Sequence, residues 1–390
     1  MGRFSFCLPP FAPDYSGVCG ALFSLGGMIV IHDAAGCTGN YVNYDEPRWY
    51  DGGAMVYCSG LRELDAVLGN DEKLIRNICE AARRLHPNFI ALVGSPVPMV
   101  IGTDLEGIAA WIEDETGIPA FGFPTTGLGL YPAGAFLAGK ALLESVRKTG
   151  DRETPAQEKE GMNLLGELPL DFAGTEFRKQ FRERMQEMGL PVSAALFDQA
   201  DMEQVSHIEA AKWNNAVTYS GALLGAWLWR TYNMPCITGF PMSSRAAGAW
   251  HSFVTAHLLT GGIAAWGTQR EMCGRESGIL ILGDQIIANS IRAEIFCATG
   301  KTSCVGVPFG VQQESLGEGD RYLGEEEQIQ RAMNDAEIST IIGDPLYRQL
   351  LDKPEKKNFI PVLHYAVSSK VGKEQYPDSR KTIEEILAML

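Results

Sequence analysis

A chain of 390 residues is long enough for two or three domains of ordinary size, each with its own core. With 45% hydrophobic and 21% charged residues it reads as globular rather than disordered or fibrous, and no apolar run reaches the roughly 20 uncharged residues of a membrane span. The formal net charge of -15 disfavours nucleic-acid and anionic-membrane partners, because phosphates are bound by Lys and Arg in excess; an acidic face that docks a basic protein stays open.

The start, MGRFSFCLPPFAPDYSG, lacks a cationic stretch followed by a long apolar one, so the expected location is the cytoplasm, with the nine cysteines reduced. Behind the apolar run 28–31 comes HDAAGC, which puts Cys37 at a strand end, where ligands usually sit. Cys7, Cys19, Cys37 and Cys58 crowd into this early part, none on an obviously amphipathic helix. DEKLIRNICEAARRLHPNFIALVGSPVP then reads as a helix with Ile75, Ile78, Cys79 and Ala82 on one face, ended by Pro87, and a buried strand 89–93. In DLEGIAAWIEDETGIPAFGFPTTG the same unit recurs, with Asp104 as cap, Gly117 as stop and a strand 120–123. The glycine-rich GLGLYPAGAFLAGK does not have phosphate-loop spacing and is expected to open a helix.

Residues 148–163 are polar and aperiodic, separating a first domain (1–150) from a second (164–270). Two more helix-strand units follow, FRKQFRERMQEMGLPVSAALFD and YSGALLGAWLWRTYNMPCITGFP, the latter with Cys236 in its strand. A boundary near 267–278, where Cys273 reads as a loop thiol, leads into a third domain (275–390). That domain opens SGILILGDQIIANSIRAEIFCATGKTSCVGVPFG as strand, Gly turn, helix and strand, with Cys297 and Cys304 structural. Its acidic ESLGEGDRYLGEEEQ is expected to be a solvated loop and helix start. The alternation predicts an α/β fold of three Rossmann-like domains, each a mostly parallel sheet flanked by helices.

HDAAGC, then YCSGLRELDAVLGNDEKLIRNI, then FIALVGSPVPMVIGTDLEGIA, in that order, closely resemble the nitrogenase component 1 superfamily. The likeness continues through MPCITGFPMS, LILGDQIIANSI, IIGDPLYRQLL and FIPVLHYAVSSK, and so covers nearly the whole chain; the early strings are specific, the later ones individually weak. The resemblance implies an iron-sulfur cluster, of the 4Fe-4S kind, held between two subunits with Cys37 as a ligand. Gly36 lets the main chain approach the cluster, and His32 either donates a hydrogen bond to it or caps the strand end. Where many relatives have a later cysteine this chain has Ser95 and Pro96, so that loop borders the cluster without a thiolate. Upstream, Cys7 on the irregular segment is favoured over Cys19, which falls on a helix where it can simply pack; Cys58 reads as a buried thiol. Cys7 and Cys37 from each of two subunits would supply four thiolates, in a homodimer or in a heterodimer with a homologous subunit. Alternatively a partner supplies the missing ligand, or Ser95, Asp33 or water an oxygen.

The resemblance further implies an oxidoreductase subunit that receives electrons from a separate ATP-dependent iron-sulfur protein; this chain has no G-x-x-x-x-G-K-[ST] motif of its own. The substrate would lie between domains, with His364 and His32 at its cavity, although a strand-end bond to backbone explains His364 equally well. NNAVTYSGA lacks the thiol that holds the large nitrogenase cofactor in relatives, so a tetrapyrrole or small sulfur compound suits the cavity better than dinitrogen. Asp33, Asp45 and Glu46 are candidate proton donors, expected to be solvated. Two rivals share the architecture: a scaffold for metallocofactor assembly, and an iron-free bilobal ligand-binding protein.

Overall fold

A computed structural model describes residues 5–50, 52–149, 161–172, 175–197, 202–375 and 382–390. Its strands form three sheets whose described pairings are all parallel. The first contains β1 (Met28–Ile31), β2 (Met55–Cys58), β3 (Ile90–Val93) and β4 (Ala120–Phe123) in the order β2-β1-β3-β4. β1 and β3, MIVI and IALV, are apolar at every position and fully buried, as inner strands covered on both faces must be. Leu74, Ile75, Ile78, Cys79 and Ala82 of the helix Asp71–Leu85 pack on them, beside Leu105, Ile108 and Ile112 of the helix Leu105–Thr116. The latter starts where the Asp104 side chain accepts from Gly107 N and stops at Gly117, whose φ of 68° is left-handed.

On the same unit the helices Asp14–Leu22 and Tyr131–Thr149 touch backbone to backbone. A Cβ on Gly17 would lie 1.9 Å from Tyr131 O, and one on Gly134 1.8 Å from Asp14 O. Glycine at both positions is therefore a requirement of the approach, and GLGLYPAGAFLAGK opens a helix as expected.

The second sheet contains β5 (Met162–Leu165), β6 (Val192–Leu196), β7 (Trp213–Ala216), β8 (Cys236–Thr238) and β9 (Ile263–Ala265), ordered β6-β5-β7-β8-β9. β5 begins inside the stretch read as a linker, whose residues 150–160 lie outside the described residues. The third contains β10 (Ile279–Leu282), β11 (Cys304–Val307), β12 (Arg321–Tyr322), β13 (Thr340–Gly343) and β14 (Asn358–Pro361), ordered β12-β11-β10-β13-β14. Among the described residues no helix is long and apolar enough to cross a membrane.

By compactness the chain forms two units: Ala12–Ala156 with Leu196–His207, and Met1–Phe11 with Gln157–Ala195 and Ile208–Leu390. The first carries the four-stranded sheet; the second carries both others, save the last residue of β6. Within the second, the helix Gln285–Thr299 joins the sheets: Ser290 Oγ accepts from Phe240 N at 3.2 Å and Glu294 Oε1 from Ser243 N at 2.8 Å. Arg292 Nε donates to Gly267 O at 2.6 Å, and its Nη1 meets Asp320 Oδ1 at 2.7 Å with both side chains essentially buried. One expectation is corrected here: Asp320, placed in a solvated acidic loop, is a buried counter-ion and is followed by β12. Cys273, read as a loop thiol, lies in the loop before β10, 6% exposed and packed against Gly317.

Candidate functional site

In the first sheet the chain passes from β1 outward to β2, then returns to β3 on the other side, so the carboxyl ends of β1 and β3 flank a topological switch point. Ligands collect at such crevices. Ile31 is level with Cys58 on one side and Val93 on the other, which brings the segments beginning at His32, Ser59 and Gly94 to one edge.

The Asp33 carboxylate shapes the turn there. It is 4% exposed and its Oδ2 accepts from Ala35 N at 3.0 Å and Thr38 N at 3.1 Å, folding the chain into the short helix Gly36–Asn40. The strained residue is Ala35, at φ 144°, one position before the glycine expected to turn; a Cβ on Gly36 would meet nothing within 4 Å. Ala34, Ala35 and Gly36 are exposed, and Cys37 is half-buried behind them.

The hydroxyls of Tyr15 and Ser95 stand near the Cys37 sulfur. Burial, then the Asp33 carboxylate, push its thiol up, and the two hydroxyls offset part of this. Cys58 lies close by, its sulfur donating to Asp33 O at 3.2 Å and accepting from Gly60 N at 3.4 Å. His32 is buried beneath the turn with Nδ1 2.9 Å from Ser59 Oγ, and burial pulls its pKa down, so the ring is neutral at pH 7. Ser95 Oγ donates to the His32 carbonyl at 2.8 Å.

Asp33, Asp45 and Glu46 are not solvated, contrary to expectation: they are 4%, 7% and 4% exposed. Asp45 Oδ2 accepts from Ser16 Oγ at 2.6 Å and Asn40 Nδ2 at 2.8 Å, and burial pushes its pKa up to about 6. Glu46 accepts from Tyr41 OH at 3.0 Å and from Arg48 Nε at 2.8 Å. Partners within a few residues, joined for Asp45 by Ser16 of the helix Asp14–Leu22, compensate the burial.

Of the remaining candidates, Cys19 is fully buried in the helix Asp14–Leu22, its thiol pushed up by burial, Glu46 and Asp45. Cys7 belongs to the other compact unit; it is exposed, and the N–H groups of Phe6, Cys7 and Leu8 donate to the Glu326 carboxylate at 2.9, 3.0 and 2.7 Å. His364 is also in that unit, just past β14. Its Nε2 is 3.4 Å from Asp171 Oδ1, its N–H donates to Asp344 Oδ2 at 2.9 Å, and its ring meets Phe309 edge-on at 4.5 Å. Burial pulls the imidazole down to about 4 and pushes Asp284, after β10, up to about 7. Asp284 accepts from Tyr219 N at 2.8 Å, so the carboxyl ends of the second and third sheets meet at a buried group of acids and one neutral imidazole.

The structure thus brings together Cys37, Gly36, Ser95 and His32, and adds Cys58, Ser59 and Tyr15, which sequence reasoning did not single out as site residues. No linear spacing marks these three. Among the described residues no three His, Cys, Asp or Glu side chains converge as a metal site, so one chain offers the thiol of Cys37, with Cys58 near it, and not a full ligand set.

A family model described as nitrogenase component 1 type oxidoreductase matches residues 14–270. The chain is similar to NifE, a nitrogenase iron-molybdenum cofactor biosynthesis protein, of Rippkaea orientalis: 29% identical over 191 residues, 47% of this chain and 39% of that one. It is 29% identical over 161 residues to the nitrogenase molybdenum-iron protein alpha chain of Clostridium pasteurianum, 41% of this chain and 29% of that one. To a light-independent protochlorophyllide reductase subunit of Trichormus variabilis it is 24% identical over 185 residues, 45% of this chain and 35% of that one. The matched stretch therefore spans less than half the length of each of these relatives. A solved structure of nitrogenase Cp1 at pH 5 covers 100% of this chain and 92% of its own, with a TM-score of 0.62 at 15% identity, which is a likeness of fold.

Proposed function

Since the chain belongs to the nitrogenase component 1 type oxidoreductase family, we propose that it is a subunit of a nitrogenase-like reductase holding a 4Fe-4S cluster at an interface between two subunits. The observation that carries this reading is the half-buried thiol of Cys37 on an exposed turn at the switch point, with Tyr15 and Ser95 hydroxyls against the sulfur. A cluster bound there supplies one-electron transfer, from an ATP-dependent iron-sulfur partner to a substrate. Cys37 and Cys7 are the proposed thiolates, two from each subunit, with Gly36 and Ser95 bordering and Cys19 packing. The helices Glu63–Leu68 and Pro96–Ile101, which follow β2 and β3, leave Leu64, Val67, Leu68 and Val100 71%, 77%, 76% and 76% exposed, an apolar surface of the kind subunits cover.

The proposed substrate site is at the strand ends of the second and third sheets, beside His364 and Asp284. His32, neutral beneath the Cys37 turn, orients Ser59. In function the chain divides as 1–150 for the cluster and 164–270 with 275–390 for the substrate. Purified without oxygen, the protein should carry about two irons per chain in a dimer, with a paramagnetic signal on reduction, and Cys37→Ala should lose both. A stable, colourless, iron-free dimer would sink the reading.

The likeness to NifE favours a second reading, an assembly scaffold with the same cluster, whose cavity holds a precursor to be passed on. Multiple turnovers of a substrate with the reductase partner present would exclude it.

A further inference from the structure

Phe309, two residues past β11, is 4% exposed and stands beside His364, the two rings meeting edge-on at 4.5 Å. The loop that carries it is held firmly. Gln285 Nε2 donates to Gln312 O at 2.9 Å while Gln285 Oε1 accepts from Gln312 N at 2.8 Å, and a Cβ on Gly310 would lie 2.3 Å from the Tyr219 ring. Phe309 is thus a fixed platform next to the imidazole.

A second ring on this platform comes from a segment some 300 residues away along the chain: Phe11 meets Phe309 edge-on at 5.3 Å. Residues 6–11 lie in the same compact unit as Phe309 and His364. Phe6, Cys7, Pro9 and Pro10 are exposed, Leu8 is buried and Phe11 is half-buried. The two prolines have no N–H and a fixed φ, which makes the stretch a stiff arm. Of its four remaining N–H groups, three go to one side chain: Glu326 Oε1 accepts from Phe6 N at 2.9 Å, and Glu326 Oε2 from Cys7 N at 3.0 Å and Leu8 N at 2.7 Å. Glu326 is half-buried at the start of the helix Glu326–Met333. A single charge therefore fastens the arm, and the three bonds weaken together if that charge is removed. The platform, by contrast, is tied by amide pairs and a close backbone approach. Segments with few buried contacts open at the lowest free energy, so the arm opens before the platform does.

We propose that residues 6–11 are a strap over the His364 site, latched by Glu326: closed, it lays Phe11 on Phe309 and shields the imidazole; open, it lets a small molecule reach both. The inference rests on the substrate lying beside His364, but the strap itself is testable without substrate or metal.

Diethyl pyrocarbonate modifies neutral imidazole, and burial keeps His364 neutral at pH 6.5. Exposed His251, on the helix Ser244–Leu258, serves as reference within the same chain. In Glu326→Gln the modification of His364 relative to His251, followed by peptide mass spectrometry, should be on the order of tenfold faster than in wild type, the effect of losing charge-assisted bonds. Phe11→Ala, which removes the cover and leaves the latch, should also speed it. Hydrogen exchange should show the amides of Phe6, Cys7 and Leu8 freed in Glu326→Gln while those of β10 keep their protection. Freed strap amides with an unchanged His364 rate would overturn the strap, and so would a faster rate accompanied by lost protection in β10, which is general unfolding. An iron-free protein would defeat the reductase reading instead, and the modification rates would still decide the strap.

Discussion

Asp45 illustrates how much the role of one residue depends on its surroundings. In NYDEPRW it reads as an exposed loop carboxylate, yet it is 7% exposed and bonded to Ser16 and Asn40, with a pKa pushed up by burial to about 6. Because the folded-state value lies above the ordinary 3.8, the native protein keeps this proton between 3.8 and about 6 where the unfolded chain has lost it. Its contribution is therefore fully present at low pH and declines as pH rises through that window. Asp45→Asn has no such penalty. Relative to wild type, the unfolding free energy of the variant should rise by about 1 kcal/mol between pH 5 and pH 7.5. Urea titrations at the two pH values measure this, and a pH-independent difference would refute it. The same blindness to partners affects Gly36 and Ala35: composition points to the glycine, but the Asp33 carboxylate pulls the preceding residue into the unusual backbone conformation.

At the scale of elements, local signals were legible wherever a helix or strand meets its own neighbours. Asp104 and Gly117 bound their helix as expected, and the strand 120–123 falls where its apolar run does. Less visible is which glycines serve packing. Gly17 and Gly134 lie on two helices so close that a Cβ at either would fall within 2 Å of a backbone oxygen of the other. Gly17→Ala should destabilise the protein by about 3 kcal/mol, the upper range for overpacking, since neither backbone can give way cheaply. Gly248, exposed on the helix Ser244–Leu258 with nothing within 4 Å, is the contrast. Gly248→Ala should stabilise by about 1 kcal/mol through helix propensity. Opposite signs in thermal unfolding are the expected outcome; two destabilising substitutions would contradict the distinction.

For the whole molecule, the second and third sheets share one compact unit, and Arg292 is central to their joining. It is fully buried, reaching Gly267 O after β9, Asn289 on its own helix, and Asp320 at 2.7 Å. Asp320 in turn accepts from Val305 N in β11 at 2.8 Å. Removing the guanidinium leaves a buried carboxylate without its counter-charge, so Arg292→Ala should cost about 3 to 5 kcal/mol. Both sheets should then lose hydrogen-exchange protection together, whereas protection lost from one sheet alone would show that the joint is weaker than its geometry implies.

The sequence by itself determined the α/β class, the order of most helices and strands, the family likeness carried by HDAAGC and its companions, and the position of Cys37 at a strand end. These follow from periodicity, caps and turn residues, which act over a few neighbours along the chain. Only the tertiary structure decided that Asp33, Asp45, Glu46 and Asp320 are buried, that Cys58 and Tyr15 stand beside Cys37 while Cys7 lies in another unit, and that His364 faces Asp171. The bonds of Asp45 to Ser16, of Asp320 to Arg292 and of His364 to Asp171 join segments remote in sequence. A carboxylate or thiol acquires its environment from the elements that pack over it, and parallel sheets assemble that environment from the ends of strands that the chain visits far apart.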